Sequence, residues 1–131
     1  MTKVFVNGTF DILHRGHLEM LKYAASLGDE LFVCIDSDQR VTELKGTTRP
    51  INNQNDRKLM LDSLKFVTRC WIFSDEEELE HIIELYKPDI MVKGSDYKGK
   101  NIVGSQYCKE IVFYEHTGHS TTGLIERITN R

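Results

Sequence analysis

The sequence has little of what marks several protein classes. Cysteine is sparse: Cys34, Cys70 and Cys108 are odd in number, widely spaced and without a CxxC pair. A disulfide framework and a paired-cysteine metal knuckle are both excluded, and the thiols are expected to be reduced, two of them buried in strands. Basic residues are not in surplus, because 17 Lys and Arg stand against 20 Asp and Glu for a formal net charge of −3. That balance argues against a nucleic-acid partner. No apolar run approaches the roughly 20 residues of a membrane span, so no membrane partner is expected. The N-terminus runs straight into Val4-Phe5-Val6 with no leader-like segment, and a cytoplasmic protein is expected. Neither GxxxxGK[ST] nor GxGxxG occurs, which leaves P-loop and dehydrogenase readings without their motifs. Linkers, repeats and low-complexity stretches are missing too, and 131 residues suit one domain, 1–131, with one core.

What is present is a regular alternation of two apolar periods. Lys3 to Asn7 reads as a first strand. A helix follows from about Leu13 to Leu27, carrying Leu18, Met20, Leu21, Ala24 and Ala25 and stopping at Gly28. Glu30 to Ile35 is nearly continuous apolar sequence, as in a central parallel strand covered on both faces. Its end, Asp36-Ser37-Asp38, suits either a ribose hydroxyl or a turn cap, and these aspartates are left out of the site. Gln39 to Asn53 is polar and basic, a loop or a weak helix followed by a loop. Asn53 to Leu64 is a helix with Leu59, Met60, Leu61 and Leu64 inward. Thr68 to Phe73 is a third strand. Ser74 then caps a helix whose acidic first turn suits its dipole, with Leu79, Ile82, Ile83 and Leu85 inward and a stop before Pro88. Pro88 to Gly94 and Glu110 to Tyr114 are the last strands, separated by a polar segment with a short helix after Gly104. The final helix puts Leu124, Ile125 and Ile128 on one face. This order implies right-handed crossovers and an α/β fold: a Rossmann-like, doubly wound, parallel five-stranded sheet in a single domain.

The chemistry concentrates in Asn7-Gly8-Thr9-Phe10-Asp11-Ile12-Leu13-His14-Arg15-Gly16-His17, which joins the first strand to the first helix. Such a turn aims backbone N–H groups and a helix dipole beyond the strand, where phosphate is the usual guest. His14 and His17 are three apart and share one helical face, so both rings can meet one anion. A metal half-site or two surface histidines fit the same spacing. Lys45, Arg49 and Arg57 follow the second strand; singly each suits a solvated surface, and together they suit a triphosphate. Gly94 permits close approach of backbone to ligand at the end of the fourth strand, and Lys93 supplies charge there. Ser120 or Thr121 would cap the last helix whatever the function, and the same hydroxyls suit phosphate.

Gly8-Thr9-Phe10-Asp11 with His14-x-Gly16-His17, followed a domain later by Ser120-Thr121-Thr122, resembles the signature of the HxGH nucleotidylyltransferases. The resemblance implies an enzyme in which His14, His17, Lys45 and Arg57 act on the phosphates. It implies a nucleotide held by Gly8, Thr9, Phe10, Gly16, Val92, Lys93, Gly94, Thr117, Ser120, Thr121 and Thr122, and an acceptor oriented by Asp11. It also implies Mg²⁺ arriving with the nucleotide, no metal cage in the protein, an NTP and a sugar or polyol phosphate as substrates, and a homodimer. Over almost its full length the chain is most similar to the adenylyltransferase domain acting on heptose 1-phosphate, through Leu44-Lys45-Gly46, Arg49-Pro50, Val92-Lys93-Gly94-x-Asp96-Tyr97 and Ile102-x-Gly104-Ser105. Glycerol-3-phosphate cytidylyltransferase is the alternative within the family. A regulatory protein that binds nucleotide without turnover is the alternative outside it.

Overall fold

The computed structural model describes residues 1–115 and 121–130. Strands β1 (Lys3–Gly8), β2 (Glu30–Asp36), β3 (Arg69–Phe73), β4 (Ile90–Gly94) and β5 (Glu110–Tyr114) form one parallel sheet in the order β3-β2-β1-β4-β5. The helices are α1 (Arg15–Ser26), α2 (Asp38–Lys45), α3 (Gln54–Asp62), α4 (Glu76–Tyr86) and α5 (Thr121–Thr129), with 3-10 turns at Ser95–Tyr97 and Ser105–Tyr107. The chain builds outward from β1 to β2 and β3, then returns to add β4 on its other side. The reversal lies between β1 and β4, and a crevice opens there beyond the strands' C-terminal ends.

The pleat sends successive side chains to opposite faces and so makes two cores. Val4, Val6, Val33 and Ile35 pack with Leu21 and Ala24 of α1 and Leu61 of α3. Phe5, Cys34 and Met91 face the other way, against Leu79 and Ile83 of α4. The starts of α2, α3 and α4 are fixed by polar caps: the Ser37 side chain accepts from Arg40 N–H, Asn53 from Asp56 N–H, and Asp75 from Glu78 N–H.

Two expectations need correction, and one choice between alternatives is decided. Asp75, not Ser74, caps α4, and the Ser74 N–H donates instead to the Glu78 carboxylate at 2.6 Å. Of the two alternatives for Gln39–Asn53, the helix followed by a loop holds, with α2 running Asp38–Lys45. Leu59, Met60 and Leu85, expected inward, are exposed. Leu59 to Leu61 sweeps about 200° around a helix at 100° per residue, so one narrow core contact cannot hold all three. The buried face of α3 is Arg57 and Leu61.

Cys34 and Cys70 are fully buried on opposite faces of the sheet. Burial pushes the Cys34 thiol far above its ordinary range, Cys70 up to about 12, and half-buried Cys108 up to about 11. All three are therefore held as unreactive thiols at neutral pH. With a thiol-reactive disulfide reagent at pH 8, Cys108 is expected to react slowly, and Cys34 and Cys70 only after unfolding. Rapid release of three equivalents from native protein would contradict this.

Candidate active site

The site is built on the turn after β1. A Cβ at Gly8 would lie 3.0 Å from the Phe10 ring, so the turn closes at glycine. Phe10 itself sits at φ 51, a left-handed conformation rare for an aromatic residue and of the kind that persists where the surroundings hold it. Its buried ring meets the His17 ring edge-on at 5.0 Å.

His14 is the N-cap of α1 and His17 its third residue, and the two make a reciprocal capping box. The Gly16 N–H donates to His14 Nδ1 at 3.1 Å, and the His14 N–H donates to His17 Nδ1 at 3.3 Å. The rings are stacked, with centroids 3.8 Å apart and planes 22° from parallel. Across the crevice Lys93 donates to Asn7 Oδ1 at 2.9 Å and lies 4.7 Å over the Tyr97 ring. Burial pushes the Lys93 ammonium below the usual lysine range, against the pull of Asp36 and Asp96 in the opposite direction. Gly8, Thr9, Phe10, His17, Lys93 and Tyr97 border a cleft of about 180 Å³, completed by Val92, Gly94 and their neighbours. The Thr9 hydroxyl donates to Asp36 Oδ2 at 2.9 Å, so this aspartate, left out of the site by sequence, supports its floor.

Asp11 is 1% exposed and engaged by the loop after α2. Its carboxylate accepts from Ile51 N–H and Asn52 N–H at 2.9 Å and from Arg49 Nε at 2.9 Å. Burial pushes this carboxyl up, but the Asn52 and Ile51 N–H groups and then Arg49 outweigh it and hold Asp11 below its ordinary 3.8. A carboxyl depressed in the folded state contributes stability that is present above pH 3.8 and lost as pH falls through the folded value. The melting temperature is therefore expected to drop on acidification below pH 3.8. Asp11→Asn should melt lower at neutral pH and lose less on acidification; equal acid slopes for variant and wild type would contradict the assignment.

The structure redistributes the expected site residues. His14 and Gly16 lie in the first turn of α1, and His17 with Gly8, Thr9, Phe10, Val92, Lys93 and Gly94 lines the cleft. Thr121 and Thr122 open α5: the Thr121 hydroxyl donates to the Ile12 carbonyl at 3.3 Å, and Thr122 Oγ1 accepts from Arg49 Nη1 at 3.5 Å. Thr117 and Ser120 lie outside the described residues. Lys45 is exposed in the last turn of α2. Arg57 is not solvated. It is 1% exposed, donating through Nε to Asn52 O, through Nη1 to Thr9 O and Asp36 O, and through Nη2 to Asp38 Oδ1. Arg49 lies beside the first turn of α5, and among the described residues its buried Nη2 has no hydrogen-bond partner. The clue in the sequence is an arginine held by Pro50 in a loop at a strand's C-terminal side.

A family model described as Cytidylyltransferase-like matches residues 5–122. Among curated relatives, the Bifunctional protein HldE of Campylobacter fetus is 48% identical over 128 residues, covering 97% of this chain and 28% of the relative. The protein of the same name from Campylobacter concisus is 50% identical over 126 residues, 95% of this chain and 26% of the relative. The chain thus spans about a quarter of the length of these relatives. A solved structure, the lipopolysaccharide core biosynthesis protein from Thermoplasma volcanium GSS1, superposes with a TM-score of 0.70 at 31% identity, over 88% of this chain and 98% of that one.

Proposed function

The chain belongs to the cytidylyltransferase-like family, and from that premise we propose that it is a nucleotidyltransferase. It moves a nucleoside monophosphate from an NTP, ATP by preference, to a sugar phosphate such as heptose 1-phosphate and releases pyrophosphate. The observation that carries this is the stacked pair of imidazoles at the α1 N-terminus, of which His17 lines the cleft. The preference for ATP and heptose rests on near-half identity to the HldE proteins over almost all of this chain, and on the sugar-phosphate adenylyltransferase resemblance of the sequence.

An oxygen of the acceptor phosphate bonds to the α-phosphorus as the bond from that phosphorus to the β-bridging oxygen breaks. The acceptor phosphate is already anionic at neutral pH, so no general base is needed. Catalysis is alignment and charge neutralisation. His14 and His17 donate to the α-phosphate oxygens, while Lys93, Arg49 and the first turn of α5 neutralise the departing charge. Mg²⁺ would arrive with the nucleotide substrate and would supply neutralising positive charge for its phosphates. Among the described residues no three of His, Cys, Asp or Glu converge to hold an ion. Asp11 acts through Arg49 and the 49–52 loop, not on the acceptor directly. Among the described residues no helix is long and apolar enough to cross a membrane. A cytoplasmic homodimer completes the reading, with sedimentation as its check.

Pyrophosphate release with ATP or CTP, each against heptose 1-phosphate and glycerol 3-phosphate, tests the proposal. Turnover with ATP and the heptose is expected. Turnover with CTP and glycerol phosphate would replace base and acceptor while keeping the chemistry. Silence in all four pairs, with nucleotide bound, would contradict a transferase.

A further inference from the structure

We propose that the H-x-G-H spacing at the start of α1 is a tautomer lock: the helix cap fixes both His14 and His17 as Nε2–H donors and bars either ring from acting as a base through Nδ1. The lock is read from the fold alone, while its value to catalysis rests on the function proposed above.

At a helix N-terminus the first backbone N–H groups lack carbonyl partners, and a side-chain acceptor at the N-cap and at the third residue commonly supplies them. Ser, Thr, Asp or Asn, followed by Glu or Gln, usually fill those places. Here histidine fills both: His14 Nδ1 accepts from Gly16 N–H, and His17 Nδ1 accepts from the His14 N–H. A nitrogen that accepts from an N–H presents its lone pair and carries no proton. A neutral imidazole has one N–H, so in both rings it is on Nε2. Side-chain rotation is restricted in addition, because the two rings stack at 3.8 Å and His17 also meets Phe10 at 5.0 Å. Two imidazoles thus present the same kind of edge on the same side of one helix turn.

The consequence is a division of labour. The wrong tautomer would put an Nε2 lone pair against phosphate oxygens, a repulsive contact in place of a hydrogen bond. A ring held as Nε2–H loses nothing to tautomer redistribution when substrate arrives, which is the preorganisation that makes such donors effective. The backbone N–H groups of Gly16 and His14 are therefore positioning groups, acting on the reaction through the two rings.

The direct test is long-range ¹H–¹⁵N correlation of the imidazole nitrogens in nucleotide-free, ¹⁵N-labelled protein at neutral pH, with exposed His81 as an internal comparison. In both His14 and His17, Nε2 is expected to resonate as a protonated nitrogen and Nδ1 as an unprotonated one, while His81 shows averaged values. A protonated Nδ1, or averaging in either ring, would overturn the lock whatever the turnover. Two variants separate capping from donation. His14→Asn keeps a cap acceptor but has no group at the Nε2 position; it is expected to keep the wild-type melting temperature and lose roughly a hundredfold in turnover. His14→Gln places an amide N–H near Nε2 and is expected to recover about tenfold over Asn while melting lower. If Asn turns over as fast as Gln, donation from this position is wrong. Locked tautomers with no turnover for any substrate pair would instead sink the proposed function and leave the lock standing.

Discussion

His17→Ala is expected to lower kcat by a hundredfold or more while leaving the affinity for nucleotide nearly unchanged. His17 lines the cleft with its Nδ1 held by the His14 N–H, and in the proposed reaction its Nε2–H would face charge that grows as the α-phosphorus becomes pentacovalent. Such a donor contributes more in the transition state than in the ground state. The loss of about 3 kcal/mol should therefore fall on kcat rather than on KM. The variant also loses the cap bond from the His14 N–H and the edge contact with Phe10. Together these cost about 1–2 kcal/mol of stability, so turnover must be measured below the variant's own melting point. His14→Ala should act similarly. Since the rings stack, the double variant should lose less than the two single losses combined. A tenfold effect or less from either substitution, in folded protein, would remove the pair from the chemistry.

Arg57→Ala is expected to be the most destabilising single change outside the apolar core, by about 3–5 kcal/mol. The guanidinium serves Asn52 O at 2.9 Å, Thr9 O at 3.0 Å, Asp36 O at 2.8 Å and Asp38 Oδ1 at 2.8 Å. It ties the ends of β1 and β2 to the loop entering α3, which is also the loop that holds Arg49 and Asp11 together. Alanine leaves three carbonyls and a carboxylate without their donor, each at a desolvation cost. Lysine should rescue little, because one ammonium cannot reproduce a planar fork reaching four acceptors. Urea unfolding should show a lower midpoint with an unchanged slope. Were Arg57 a phosphate ligand, as the family resemblance implies, the midpoint would stay and KM for nucleotide would rise. Arg49→Ala is the complement: its melting temperature should fall less than that of Arg57→Ala, and its transfer rate more per folded molecule.

Sequence and structure agree wherever a local rule decides. The apolar runs at Val4-Phe5-Val6 and Leu31 to Ile35 become adjacent parallel strands, and Gly8 through His17 becomes the turn and cap. The cap residues were half legible, since Asp75 beats Ser74 by one position when both can accept. What stayed hidden depends on distance through space. Arg57 looks like any basic residue on a polar helix until Thr9 and Asp36 are folded against it. The signal available was its spacing of four from Leu61, which puts both on the face that packs. Reading Leu59, Met60 and Leu61 together as core masked that face. The role of Asp11 is hidden for the same reason: the three donors to its carboxylate come from residues 49–52, some 40 positions away in sequence. Arg49 stands out only once its buried Nη2 and the α5 terminus are seen side by side.

The most direct measurement is the stereochemical course at the α-phosphorus, using ATP with one α-oxygen replaced by sulfur in a single configuration and heptose 1-phosphate as acceptor. A direct in-line displacement with His14 and His17 as donors gives inversion, and inversion is expected. Retention would contradict it: one histidine would then be taking the nucleotidyl group as a nucleophile, in two displacements, and the pair would not be donors alone.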